Sequence, residues 1–388
     1  MKDLQSLKKL GILVLVIFVV AIIATGCGGS STKTEKQAAN DTKPEASTIE
    51  GTIYLPGEGG HIAVAKIAID PAKDEPIAIK NLDRIKLGAA ETNATHDIRI
   101  DADKNVAFSS AIVKDASAGG IHVDKIDLST LQVTKDIATP VPPRYVGGPF
   151  YCASGQSDDA FLPVIMGYEG SIDVFDKETL ELKHRVQFDD PQIGKDYIFA
   201  HGTNTPDKKQ FLLALNVTAP GKGGEAPPRS SGDLKFCLLD MESLLQGTLK
   251  INKVNTIAAD TTAIAFRQTF TSDGKYLLQA ARDRILVIDG STLQLVKKID
   301  VPKEGEDQIE CHDIMPTPDG KYAVAALRVP VGKDSAGKAI NDGKVALVDL
   351  EKGTIVGKQT SICYKCHNDY TSLKGKGANL CGIDGIWK

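Results

Sequence analysis

The sequence predicts an all-β chain folded as a β-propeller of four-stranded blades. Three observations predict it: an apolar strand ending in Asp and a tight turn recurs six times, a second Asp-centred turn precedes most copies, and no helical periodicity separates them.

The first element is clearest in three runs, Ile121–Asp127, Ile172–Asp176 and Ile285–Asp289, which continue into Thr130-Leu131, Thr179-Leu180 and Thr292-Leu293. Looser copies end at Asp70, Asp240 and Asp349. An Asp here closes a turn by accepting hydrogen bonds from backbone N–H groups two or three residues on, which ends one strand and starts the next.

The second element is Thr271-Ser272-Asp273-Gly274-Lys275-Tyr276 and Pro318-Asp319-Gly320-Lys321-Tyr322, with degenerate forms at Asp101–Lys104 and Pro206–Lys209. Asp-Gly is a strong hairpin signal. Two hairpins per unit make a four-stranded antiparallel blade, and a repeat of roughly 50 to 65 residues is that of a propeller. Six blades are countable and a seventh, degenerate one stays open. The unit at Asp70 lacks an inner strand, and the tail 376–388 is expected to supply it and close the ring. Gly221–Gly232 and Val331–Gly343 are rich in Gly, Pro and small polar residues and read as surface loops.

These motifs resemble the broad superfamily of YVTN-type and cytochrome-d-type propellers, which includes haem-binding domains of certain nitrite reductases and the propeller of nitrous oxide reductase. The resemblance covers about the whole of residues 51–388 and implies the fold; function has to come from the sites. In propellers of this kind channel histidines bind copper clusters or a d-type haem. The chain has no His-His pair of the sort that builds a large copper cluster and no full cytochrome c domain. Smaller propeller lipoproteins that bind or process haem are therefore the nearer comparison.

Residues 1–26 read as an export signal. Lys2, Lys8 and Lys9 precede an apolar run from Leu10 to Ala24, which ends in Ala24-Thr25-Gly26-Cys27. The run is roughly 15 residues against the ~20 needed to span a bilayer, so cleavage and lipidation at Cys27 are expected rather than an uncleaved anchor helix. Residues 27–50 are small, polar and charged, a composition that buries too little to order itself, and read as a tether. The expected location is the extracytoplasmic face of the cell membrane, held by a lipid anchor.

Composition excludes several classes. The net charge of −4 gives no basic footprint for nucleic acid. The single Trp, Trp387, argues against an aromatic sugar-stacking surface. Lys and Arg are scattered and read as solvated surface. No nucleophile elbow, phosphate loop or zinc-protease helix motif occurs.

The sharpest site is Cys363-Tyr364-Lys365-Cys366-His367. In C-x-x-C-H two thiols add across the haem vinyl groups and the adjacent imidazole binds iron, so the motif predicts one haem c within an insertion at 361–375. A disulfide between Cys363 and Cys366, or a zinc site completed by His367 and Cys381, are the alternatives. Only 21 residues follow His367, too few for a cytochrome domain, so the haem would lie against the propeller.

A second constellation comes from aligning the inner hairpins. His96, Phe266 and His312 each lie seven residues before a turn Asp (Asp103, Asp273, Asp319), and His201 lies six before Asp207. Innermost strands line the channel, so His96, His201 and His312 are candidate ligands for a metal or a second haem there. The alternative is that they bond neighbouring blades together. Cys152, Cys237 and Cys311 read as small apolar core residues, and Cys381 as a strand residue or a partner of the haem segment.

The expected function is electron transfer by a membrane-tethered monohaem propeller with redox protein partners; if the chain is an enzyme, it is an oxidoreductase. The competing reading is a non-redox binding propeller that carries a metal or cofactor on the channel histidines.

Overall fold

The computed structural model describes residues 48–388 except 89–92, 113–120, 140–150, 167–169, 219–232, 261, 334, 338 and 367–378. Six four-stranded antiparallel sheets form the blades. From the channel outward, blade 1 is Asp384–Trp387, Ile49–Pro56, His61–Ile69 and Ile77–Lys86, and blade 2 is Ala94–Asp101, Val106–Ile112, Ile121–Asp127 and Gln132–Thr139. Blade 3 is Tyr151–Gln156, Ala160–Ile165, Ser171–Asp176 and Leu182–Gln187, and blade 4 is Tyr197–Asn204, Gln210–Val217, Leu234–Asp240 and Ile251–Ile257. Blade 5 is Gln268–Phe270, Tyr276–Ala280, Arg284–Asp289 and Leu295–Asp300, and blade 6 is Glu310–Pro316, Tyr322–Lys333, Ala339–Asp349 and Thr354–Ser361. The protein is a six-bladed β-propeller.

Blade 1 joins the two ends of the chain. Its innermost strand is the C-terminal one, with Thr52 opposite Ile386 and Tyr54 opposite Asp384.

Both repeated turns have the predicted chemistry. Asp289 Oδ1 accepts the backbone N–H groups of Ser291 (3.0 Å) and Thr292 (2.7 Å), and Asp176 Oδ1 those of Glu178 (2.9 Å) and Thr179 (2.7 Å). The following Leu131, Leu180 and Leu293 take φ of 57°, 53° and 61°, and Gly353 stands in the same place after Asp349 with φ 70°. The left-handed residue lets the fourth strand turn back. At the inner hairpins Asp273 and Asp319 each accept a Thr hydroxyl at 2.7 Å, from Thr271 and Thr317. In blade 4 a five-residue helix, Met241–Leu245, capped by Asp240, replaces the plain turn.

The core is six separate cores, one between each pair of neighbouring blades. Phe211, Leu213 and Leu215 face blade 3, whereas Leu212 and Ala214 of the same strand face blade 5. Both faces of a middle strand are buried, so Phe211–Leu215 is continuously apolar and lacks the polar alternation of a half-exposed strand. Polar side chains on the inner and second strands tie neighbouring blades together. Gln156 donates to the Ile100 carbonyl (2.8 Å), Asn204 Oδ1 accepts from the Gln156 amide (2.8 Å), and Asn216 Oδ1 accepts from the Ala265 amide (2.7 Å).

Two expectations are corrected. Most of Val331–Gly343 is not a loop: the strands run to Lys333 and restart at Ala339, because Val329 and Ile340 are buried and hold the hairpin together past a bulge between Pro330 and Gly332. Nor are the basic residues all solvated. Lys177 is fully buried and its Nζ lies 2.7 Å from Asp101, while Arg267 is fully buried against Asp97. Asp97 belongs to blade 2 and Arg267 immediately precedes the inner strand of blade 5, the opposite blade, so this ion pair bridges the channel.

Candidate functional site at the channel mouth

Connections between blades, and those between second and third strands, emerge on one face of an antiparallel propeller. The inner strands begin there, and that is where the chemically active side chains gather. His96, Cys152 and His312 come from the inner strands of blades 2, 3 and 6. Each occupies a break in strand register: between Thr95 and Asp97, between Tyr151 and Ala153, and between Cys311 and Asp313. A bulged residue has no partner opposite it, and its side chain can be re-aimed. His201 of blade 4 stands beyond the irregularity of its own strand and pairs regularly with Ala214.

Around His96 the contacts form a chain. Its Nδ1 is 3.4 Å from Cys152 Sγ, and Cys152 Sγ is 3.0 Å from His201 Nε2. Its Nε2 is 3.2 Å from Glu58 Oε1. Glu58 lies in the turn between the second and third strands of blade 1, and its Oε2 accepts from Asn379 Nδ2 at 3.0 Å. Cys381 completes the group: one ligand atom from each of Glu58, His96 and Cys381 lies within 4.8 Å of the others. The Cys381 backbone is fixed by its N–H to the Pro56 carbonyl (2.9 Å), and its sulfur receives Arg328 Nη2 at 3.0 Å. His96, Cys152, His201 and Cys381 are buried, whereas Glu58 is exposed at the rim.

His312 plays a different part. Its Nδ1 bonds the Cys381 carbonyl oxygen at 2.7 Å, and its ring stacks on Phe266 with centroids 4.2 Å apart. Its ring centroid is 6.1 Å from that of His96. The three histidines therefore share one end of the channel, but the atoms nearest His96 are thiol and carboxylate.

The electrostatics follow from these contacts. Burial raises a thiol, yet the His201 and His96 imidazoles outweigh it and hold Cys152 well below the ordinary thiol range. Burial likewise raises Cys381, and His96 and Arg328 outweigh it, leaving it lowered. His96 is pushed down by burial and up by Cys381 and Cys152, with a net rise well above the ordinary value. Glu58 is lowered to about 2, first by its hydrogen bond with His96. His312 is lowered by burial and by Arg328, His96 and Arg267, so it is a neutral imidazole.

Sequence reasoning missed Glu58, Cys152 and Cys381 as members of this group. Cys152 had a usable signal, since it lies seven residues before Asp159, the spacing of His96 and His312. The turn there, Ser157-Asp158-Asp159, lacks the Asp-Gly form that aligned the others. Cys381 precedes a strand whose partner, Ile49–Pro56, is remote in sequence, so the pair offers no hairpin turn from which to count.

The second group is the Cys363 segment. Cys363–Cys366 is one helical turn in the connection from blade 6 to blade 1, beginning next to Ile362, whose carbonyl accepts the Cys366 N–H at 2.8 Å. Cys363 is buried against Gly343, where a Cβ would overlap its sulfur, and against Leu380. Burial pushes its thiol up. Cys366 is half-buried, with Sγ 3.4 Å from Nε2 of the buried His61. Positions i and i+3 share one side of a helix, but only Cys366 of the pair is partly exposed. His367 and Cys27 lie outside the described residues.

Comparison with known proteins adds the fold. No protein-family model matches the chain, and no curated protein matches it. Among solved structures, a protein of unknown function from Bacteroides caccae has a TM-score of 0.52 at 14% identity, covering 87% of this chain and 99% of that one. Hydrazine synthase of Kuenenia stuttgartiensis has a TM-score of 0.45 at 13% identity, covering 77% of this chain and 76% of that one. The Cps50 (Swd1) β-propeller domain of Myceliophteria thermophila has 0.38 at 10%, covering 68% and 85%. At these identities the likeness to the first is one of fold, and the other two carry no argument about function.

Proposed function

We propose that the chain is an extracytoplasmic electron-transfer protein, tethered to the membrane by lipid at Cys27, in which a six-bladed propeller carries one covalent haem that Cys363 and Cys366 would hold and whose iron His367 would bind. The observation that carries the reading is the C-x-x-C-H sequence, whose Cys363–Cys366 part forms a helical turn in the connection at the channel-mouth face. When bound, the haem supplies one-electron chemistry. The chain's own part is positional. The turn is anchored on blade 6 by the Ile362 N–H, which donates to the Gly343 carbonyl at 2.9 Å, and Cys363 packs on Leu380, so the cofactor would rest on a rigid rim and meet redox protein partners there. The burial of Cys363 adds a requirement of order: its thiol must react before the turn docks against Gly343.

The test is intact mass and a pyridine-haemochrome spectrum of the mature chain produced with haem-attachment machinery, beside a Cys363→Ser/Cys366→Ser variant. A haem-sized mass increment, absent from the variant, is expected. Absence of the increment in the parent protein would overturn the proposal.

A further inference from the structure

We infer that the channel mouth holds a mononuclear site for a borderline-soft divalent metal ion of the zinc type, with Cys381 Sγ, His96 Nε2 and Glu58 as protein ligands and the fourth position open toward the rim. This inference does not depend on a haem at Cys363 and Cys366.

The donor set comes first. One thiolate, one imidazole and one carboxylate are the ligand types zinc takes, and three protein ligands with one open position is the pattern of sites that do chemistry rather than staple a fold. Their atoms all lie within 4.8 Å of one another, with Glu58 Oε1 and His96 Nε2 3.2 Å apart. Zinc–ligand bonds of about 2.0–2.3 Å put tetrahedral donor atoms roughly 3–4 Å apart, so closing the group on an ion takes side-chain adjustment of about an ångström.

The surroundings carry the argument further, since ligands of a metal site are held by partners behind them. Each of the three has one. His96 Nδ1 faces Cys152 Sγ, which His201 holds in turn, so the imidazole is turned with Nε2 toward the rim. Glu58 Oε2 is bonded by Asn379, leaving Oε1 to face His96. Cys381 receives Arg328, a charged donor that favours the thiolate, and His312 fixes the Cys381 carbonyl. The bulge at His96 is the backbone device that aims the ring out of the ladder.

The experiment uses the mature chain with its thiols reduced and loaded with Zn²⁺ or Co²⁺. Metal per chain is measured after equilibrium dialysis, and Co²⁺ spectra report a sulfur-to-cobalt charge-transfer band. One ion per chain is expected, with the band lost in Cys381→Ser. Glu58→Gln keeps a side chain that can still bond Asn379, should remain folded, and should weaken affinity at least tenfold. Cys152→Ser, behind His96, should weaken it about 10- to 100-fold without removing the band. The Cys363→Ser/Cys366→Ser variant should still bind one ion per chain and show the charge-transfer band even where it loses haem. Lack of stoichiometric binding by the folded, reduced parent, unchanged affinity in Glu58→Gln, or loss of metal with Cys363 and Cys366 instead would each overturn the inference.

Discussion

Replacing Arg267 by Met tests whether the propeller depends on a charge pair across its own channel. Arg267 is fully buried and Asp97 nearly so, and Arg267 Nη1 donates to Asp97 Oδ1 from the opposite side of the ring. Removing the cation leaves a buried carboxylate without its main partner, a change that costs about 3–5 kcal/mol. Two features place the expectation near the lower end. Asp97 keeps the Ser154 hydroxyl and has Arg99 Nη2 at 3.9 Å, and Arg267 Nε and Nη2 have no hydrogen-bond partner among the described residues, so Met also removes unsatisfied donors. About 3 kcal/mol is a large share of the 5–15 kcal/mol typical of a folded domain. Urea unfolding should show a fall in midpoint with an unchanged slope. Asp97→Asn in the same background should cost much less than it does alone, giving a coupling of about 2 kcal/mol. A Met variant within 1 kcal/mol of the parent, or strictly additive costs, would refute the idea that the pair joins blades 2 and 5.

Other outcomes are expected from the same geometry. Asp124 is pushed up to about 8, by burial and then by Asp136; the native state therefore holds a proton that the unfolded chain releases near pH 4, and stability should fall as pH rises from about 4 to 8. Asp124→Asn should flatten that slope in pH-dependent melting curves. Lys177→Met leaves Asp101 buried without its 2.7 Å partner and should cost roughly 3 kcal/mol in urea unfolding. His201→Gln removes the imidazole 3.0 Å from Cys152, and thiolate absorbance should then titrate at higher pH than in the parent. Gly343→Ala places a methyl on the Cys363 sulfur and Leu380, and should increase the rate of Cys363 alkylation in the folded protein.

The fold was legible because its repeats are local. Asp289 with Thr292 and Leu293, or Thr317 with Asp319 and Gly320, bond within five residues of chain, so their chemistry can be read in order. The blade count followed from them. The site was half legible. His96 and His312 stand at a fixed distance from such turns, and counting from the turns brought them to the channel. What lies beside them is set by ring closure, which joins residues hundreds of positions apart: Glu58 meets Asn379, and Ile100 donates to Asp384. Cys152 looked like an apolar core residue because burial was the only expectation available for it. Its charge state is decided by two imidazoles from different blades.

The two groups at this face are not independent pieces of structure. Cys363, Cys366 and Cys381 all belong to the single connection that leaves blade 6 at Ser361 and enters blade 1 at Asp384. Leu380 packs in the same core as Cys363, and its neighbour Cys381 contributes the sulfur beside His96. Lifting the Cys363 turn would therefore pull on the backbone that fixes Cys381 to Pro56. Occupancy at one group should alter the other even without any shared ligand. If a haem on Cys363 and Cys366 keeps the turn off Gly343, the haem-bearing and haem-free chains should bind Zn²⁺ with different affinity. Equal affinity in the two forms would mean that Leu380 and Cys381 hold their places on Pro56 whatever the turn does.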